Sequence, residues 1–309
     1  MILEPIYQTN LYGLDNFFLN FTRLYQNKCL PNKILLSGDK GLGKSTLAYH
    51  LINYVLSQDE EFNYDIRKFE IKSENKSYKL TINGSNPNVN IINTLLEKKN
   101  IDITQIRDLI SKLNKSSFND KDRFIIIDNI ENLNLNSINA LLKVLEEPPS
   151  KTFFILINND RFIIPTLKSR CINYRIFLNH YDVIKVTNKV LGDDVFNHIN
   201  KDLLNYYSTP GNIYRLITFF ESNNYDLKEY NLKDFLSLII KEGLYKKNAL
   251  IKNILFEYVE LFFRKNISNI KINPFNSYNY FIRKINDTKK FNLDEESLFM
   301  EFEYKILNG

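Results

Sequence analysis

Residues 124–171 read FIIIDNIENLNLNSINALLKVLEEPPSKTFFILINNDRFIIPTLKSRC. Positions 124–127 are apolar throughout and end in Asp128. Ile138, Leu141, Leu142 and Leu145 recur at helical spacing, and Pro148-Pro149 stops that helix. A second apolar run, 153–157, ends in Asn158 and Asn159. A short turn from Pro165 then leads to Ser169, Arg170 and Cys171. Strands apolar on both faces, with a helix between them, fit a parallel sheet covered on both sides.

Working outward, the same alternation continues upstream. The spacing of Phe17, Phe18, Phe21, Leu24 and Tyr25 predicts a helix over 15–27, and Pro31 precedes a short buried strand at 33–37. GDKGLGKST follows, and a helix continues through Leu47, Leu51, Tyr54 and Val55. Residues 58–100 are polar and weakly patterned; within them 78–82 reads as a strand and 83–87, Asn-Gly-Ser-Asn-Pro, as a turn. Ile106, Leu109, Ile110 and Leu113 predict a helix over 103–113, capped by Asp102 or Thr104. After Phe177 only helices are expected: 181–191, 201–207 and 212–221, then 235–240, 249–263, 278–285 and 294–307, with a linker at 223–226.

Composition narrows the class without naming it. The 309 residues suit two or three domains, and the formal charge of +5 permits a nucleic-acid neighbour without requiring one. Lysines and glutamates are interspersed, which is the pattern of an ordinary solvated surface. Cys29 and Cys171 lie far apart, so neither a disulfide framework nor a CxxC zinc ribbon is read. The first ten residues, MILEPIYQTN, carry no secretory pattern, and no apolar run approaches the roughly 20 residues of a membrane span. A soluble cytoplasmic protein is the expectation.

Gly38-Asp39-Lys40-Gly41-Leu42-Gly43-Lys44-Ser45 fits G-x-x-x-x-G-K-[ST] at every fixed position, between a buried strand and an amphipathic helix. Such a loop wraps phosphate oxygens in backbone N–H groups at a helix N-terminus. Lys44 is expected at the β- and γ-phosphates, Ser45 on Mg²⁺, and Thr46 beside it. Asp128 is the expected second Mg²⁺ group, acting through water. The residue that would polarise an attacking water normally follows that acid, and here it is Asn129, whose amide cannot accept a proton. Glu131, two residues on, reads as a turn residue pointing elsewhere. Asn158 and Asn159 fall where a side chain senses a γ-phosphate, or are simply a polar strand end. Arg170 is either a solvated arginine or one that acts across a subunit boundary.

Taken together, Leu11-Tyr12-Gly13, Leu30-Pro31-Asn32, GDKGLGKST, FIIIDN, NALLKVLEEPP, FFILINND and TLKSRC resemble the clamp-loader branch of the AAA+ ATPases, over about residues 11–175. The resemblance implies an α/β fold: an AAA+ P-loop domain with a parallel sheet and helices on both faces at 1–178, a small helical lid at 179–223, and a helical collar for oligomerisation at 224–309. It implies ATP and Mg²⁺ as cofactors, with Gly38, Gly41, Gly43, Lys44, Ser45, Thr46 and Asp128 around them. Tyr12 and Gly13 would lie near the adenine, Asn159 at the first sensor position, and Arg170 would be a finger acting in trans on a neighbouring subunit. The implied partners are gamma/tau-like motor and delta-like subunits of a hetero-oligomeric DNA polymerase III loader, and through it a sliding clamp and primer-template DNA. The chain departs from the motor subunits of that branch in three places. It has Asp128-Asn129 where they carry Asp-Glu, and no cysteine in 58–123 where they carry four that bind zinc. Its third helical segment begins Thr209-Pro210-Gly211-Asn212, with Arg215 one turn late for a second sensor. These departures favour a subunit that binds ATP, hydrolyses it poorly and serves a neighbour. A motor using Glu131 as base, and a scaffold with an empty loop, are the competing readings.

Overall fold

The apolar runs become the centre of a five-stranded parallel sheet. In the computed structural model, which describes residues 4–94, 100–114, 119–205, 208–266, 274–291 and 293–308, the strands are β1 (Lys33–Ser37), β2 (Val89–Ile92), β3 (Arg123–Ile127), β4 (Thr152–Asn158) and β5 (Ile172–Arg175), in the order β2-β3-β4-β1-β5. β1 pairs with β4 from Lys33 opposite Phe154 to Ser37 opposite Asn158, and β3 pairs with β4 up to Ile127 opposite Leu156. The C-terminal ends of β1, β3 and β4 therefore lie along one edge, where open α/β sheets bind ligands.

Helices α1 (Asp15–Gln26), α2 (Lys44–Leu56), α3 (Lys76–Ile82), α4 (Ile103–Leu113), α5 (Leu135–Glu146), α6 (Pro165–Lys168) and α7 (His180–Leu191) accompany the sheet. Side chains alternate along each strand, so one face carries Ile34, Leu36, Ile126, Ile155 and Ile157 against Phe18 and Phe21 of α1 and Leu47 and Leu51 of α2. The other carries Leu35, Ile125, Ile127 and Leu156 against Ile106 and Leu109 of α4 and Leu141 and Leu145 of α5. Asp102 precedes α4, and Gln105 reaches back to its N–H (3.1 Å), one arm of a capping box. Asn134 caps α5 by accepting from the Ser137 N–H at 2.8 Å. Asn134→Ala is expected to lower stability by about 1 kcal/mol, read as a shifted urea midpoint at constant slope.

The stretch 78–82 is a correction: it lies within α3, not in a strand. Asn75 caps that helix, accepting from the Tyr78 N–H at 2.7 Å, and Thr81 Oγ1 bonds back to the Ser77 carbonyl at 2.7 Å. The Asn75 cap outweighs the alternation of Tyr78, Leu80 and Ile82. The strand of this region is instead β2, beyond the turn at 83–87. The helix expected over 201–207 is a single 3-10 turn, Lys201–Leu203; positions 206 and 207 lie outside the described residues.

The chain divides into two compact units, residues 1–189 with 209–212, and residues 190–208 with 213–309. The second is helical, containing most of α8 (Pro210–Ser222) together with α9 (Leu232–Lys241), α10 (Leu244–Lys247), α11 (Ala249–Asn266), α12 (Pro274–Phe291) and α13 (Glu295–Phe302). Its core is phenylalanine-rich: the buried Phe263 ring lies 5.8 Å from both Phe281 and Phe302, and Phe220 lies 5.3 Å from Phe235. Among the described residues no helix is long and apolar enough to cross a membrane.

Candidate nucleotide site

The loop between β1 and α2 is shaped by its glycines. Gly38 sits at φ +143°, and a Cβ there would lie 2.3 Å from the Ile176 carbonyl oxygen, so only glycine fits. Gly43, at φ +86°, is the N-cap of α2, which turns the first N–H groups of that helix toward the loop. Lys44 opens the helix with only 3% of its surface exposed. Its ammonium donates to the carbonyls of Gly38 (2.7 Å) and Asp39 (2.6 Å). Burial lowers its pKa from the usual lysine range to about 8, against the opposing fields of Asp128 and Asp39. Lys44 therefore remains mostly protonated at pH 7.

Ser45 Oγ donates to Asp128 Oδ2 at 2.8 Å, which places the hydroxyl and the carboxylate where one divalent cation can meet both. Asp128 Oδ1 accepts from the Asn129 N–H at 2.8 Å. Burial raises the Asp128 carboxyl above the ordinary range, while the bonds from Ser45 and Asn129 and the charge of Lys44 pull the other way. Thr46 follows on the first turn of α2, half-buried. Hard oxygen donors, a cationic ammonium and a turn of glycines suit a nucleotide phosphate with Mg²⁺.

Asn129 takes a left-handed conformation, φ +57°, which starts the 3-10 turn Ile130–Asn132. That turn brings Glu131 back toward β4 instead of away from it, a second correction. Asn159 Nδ2 donates to Asn129 Oδ1 (2.7 Å) and to Glu131 Oε1 (2.9 Å), and the Asn159 N–H reaches Glu131 Oε2 at 3.3 Å. Glu131 also adds its field to that of Asp128 on Lys44. Lys44, Ser45, Asp128, Asn129, Glu131 and Asn159 thus form one coupled group at the strand ends.

Tyr12 and Gly13 lie on the segment just before α1. The Lys189 ammonium stands 5.0 Å above the Tyr12 ring. A Cβ on Gly13 (φ +73°) would come within 2.5 Å of Val186 Cγ2, and one on Gly43 would meet Leu14 Cδ1 at 3.5 Å. These contacts put the 12–14 segment between α7 and the phosphate loop. Arg170 is not part of that group. It is held by Glu146, at the end of α5, through Nε at 3.2 Å and through Nη2, and by the Thr166 carbonyl through Nη1 at 2.8 Å. Glu131 was singled out in the sequence but expected to point elsewhere, and Glu146 was not singled out; the signal for Glu146 was present in LEEPP, but only the fold brings it opposite Arg170.

A five-stranded parallel sheet of this order, with a phosphate loop after β1 and an acid after β3, defines an AAA+-type P-loop protein. The chain belongs to the DNA polymerase III, delta subunit family, whose model matches residues 13–178, and it is a delta-prime-like clamp-loader member of it. It is 26% identical over 288 residues to DNA polymerase III subunit delta' of Buchnera aphidicola subsp. Schizaphis graminum, spanning 86% of this chain and 82% of that one. The corresponding subunit of Pseudomonas aeruginosa is 31% identical over 139 residues, 45% of this chain and 40% of its own. Among solved structures, a DNA polymerase III gamma-subunit-related protein of Thermotoga maritima aligns over 92% of this chain and 96% of its own, at 17% identity and TM-score 0.48.

Proposed function

We propose that this chain is a clamp-loader subunit that binds MgATP at the loop 38–46, hydrolyses it poorly, and presents Arg170 to the nucleotide of a neighbouring motor subunit. One asymmetry carries the reading. Lys44 bonded to the loop carbonyls and Ser45 bonded to Asp128 support phosphate and cation binding, yet the position after Asp128 holds an amide that is already bonded to Asn159. When bound, MgATP would supply the triphosphate and the cation; Lys44 would exchange the carbonyls of Gly38 and Asp39 for phosphate oxygens. Tyr12 and Gly13 would border the base, and Asn159 would be placed to sense the terminal phosphate. In this reading the chain has three parts, 1–178, 179–223 and 224–309, the last being the oligomeric collar. The implied setting is a cytoplasmic hetro-oligomer with gamma/tau-like and delta-like subunits, acting on a sliding clamp and primed DNA through the complex.

One observation favours a second reading, a motor in its own right. The Glu131 carboxylate is hydrogen-bonded to Asn159 and acts on Lys44, so a base is within the group after all. Its oxygens, however, both accept from Asn159, which orients them toward β4. Steady-state hydrolysis by the isolated chain decides between the two. We expect turnover far below about 1 s⁻¹, the low end of ordinary enzyme rates. Turnover at or above that rate, lost in Glu131→Gln, would establish the motor reading instead.

A further inference from the structure

The residues 209–212 lie apart in sequence from the phosphate loop but pack as part of the same unit. Thr209 Oγ1 donates to the Lys40 carbonyl at 2.7 Å, and the Gly211 N–H donates to the Gly41 carbonyl at 3.0 Å. The approach is backbone to backbone: a Cβ on Gly211 would lie 2.8 Å from Gly41 Cα, and one on Gly41 (φ +91°) 2.5 Å from Thr209 Oγ1. Thr209 Oγ1 also accepts from the Asn212 N–H at 3.3 Å, so one hydroxyl both caps α8 and grips the loop. Pro210 has no N–H to satisfy, and the next two N–H groups of the helix end are consumed in these bonds.

The bonds fall on carbonyls of the loop, and that determines what they do. No peptide among the described residues is cis. In a trans peptide the C=O and N–H point in opposite directions. The Lys40 carbonyl shares its peptide with the Gly41 N–H, and the Gly41 carbonyl with the Leu42 N–H. Bonding both carbonyls to the 209–211 segment therefore aims the N–H groups of Gly41 and Leu42 away from it, as a phosphate cradle needs. Glycine at 41 makes the peptides on either side easy to rotate, so without an outside restraint their orientation would be poorly defined.

We propose that Thr209 and Gly211 form a strap that fixes the peptide orientation of the phosphate loop, making them positioning residues for nucleotide binding that need not touch the nucleotide. The proposal rests on the nucleotide-binding reading above. It predicts an effect on affinity separable from any effect on folding. Thr209→Val keeps the shape and removes the hydroxyl; it is expected to weaken binding of a fluorescent MgADP analogue by the full-length chain by about five- to tenfold, the value of one hydrogen bond. Thr209→Ser keeps both bonds and is expected to bind like the unaltered chain. Gly211→Ala would bring a Cβ to 2.8 Å from Gly41 Cα and push the strap away, so affinity is expected to fall at least as far, with the melting temperature without nucleotide lowered as well. If the unaltered chain binds and folded Thr209→Val binds within about twofold of it, the strap proposal is overturned and the nucleotide reading stands. If the unaltered chain binds no nucleotide, both are overturned.

Discussion

Lys44→Ala is expected to weaken MgATP binding by on the order of 100-fold, the value of two charge-assisted hydrogen bonds lost to phosphate oxygens. The Lys44 ammonium is nearly enclosed by the loop and already holds two of its carbonyls, a position that an exposed side chain does not share. Titration calorimetry on the folded variant measures the change directly. Affinity within threefold or so of the unaltered chain, a difference of under 1 kcal/mol, would mean that the loop is a retained fold element and not a nucleotide site.

The same lysine sets a pH dependence. Burial holds its pKa at about 8 in the free chain. Phosphate oxygens favour the charged form and raise that pKa in the complex. Between the two values the complex binds more protons than the free chain, so affinity falls as pH rises past 8, approaching about tenfold per pH unit. For folding the sign is opposite: the unfolded chain, with an ordinary lysine near 10.5, binds more protons in that window. The contribution of Lys44 to stability without nucleotide therefore rises as pH climbs from 8 toward 10.5. Tyr25, Tyr49, Tyr64 and Tyr258, whose pKa values burial raises, contribute in the opposite direction near pH 10. Lys44→Ala should remove both Lys44 contributions, read as the difference between the variant and the unaltered chain at each pH.

The parts of the fold that could be read from the chain are those whose side chains alone determine them. β1, β3 and β4 are buried on both faces, so their apolar runs are unbroken, and α4 and α5 show one apolar stripe each. β2 and β5 are edge strands. Ile172, Asn173 and Arg175 of β5 are exposed, so its sequence has no pattern to detect; pairing with β1 makes it a strand. The phosphate loop was legible because its spacing encodes backbone geometry directly. The direction of Glu131 was not, since it depends on the left-handed Asn129, a conformation that asparagine tolerates but periodicity does not report. The strap was hidden for a different reason: its bonds to Lys40 and Gly41 span about 170 residues of chain, and Thr-Pro-Gly-Asn alone reads as a helix start.

Arg170→Ala is expected to slow hydrolysis at the neighbouring subunit's site by on the order of 10³, the usual worth of an arginine finger, while leaving this chain's own nucleotide affinity unchanged. The geometry explains how the residue can be both held and available. Its guanidinium is paired with Glu146, but the two side chains are 31% and 55% exposed. An ion pair that open to water contributes about 0–1 kcal/mol, too little to compete with a triphosphate brought opposite it. Glu146 therefore keeps the guanidinium extended without sequestering it. Glu146→Gln is accordingly expected to change loader hydrolysis by less than about fivefold, the bound set by such a pair. Arg170→Lys should recover little, because a compact ammonium cannot reproduce the planar fork on phosphate oxygens. DNA-stimulated hydrolysis by the reconstituted loader, with the neighbouring site isolated by loop-lysine variants elsewhere, reads all three. Full activity in Arg170→Ala would sink the finger role, and with it the reason for treating Asn129 as the mark of a subunit that serves its neighbour.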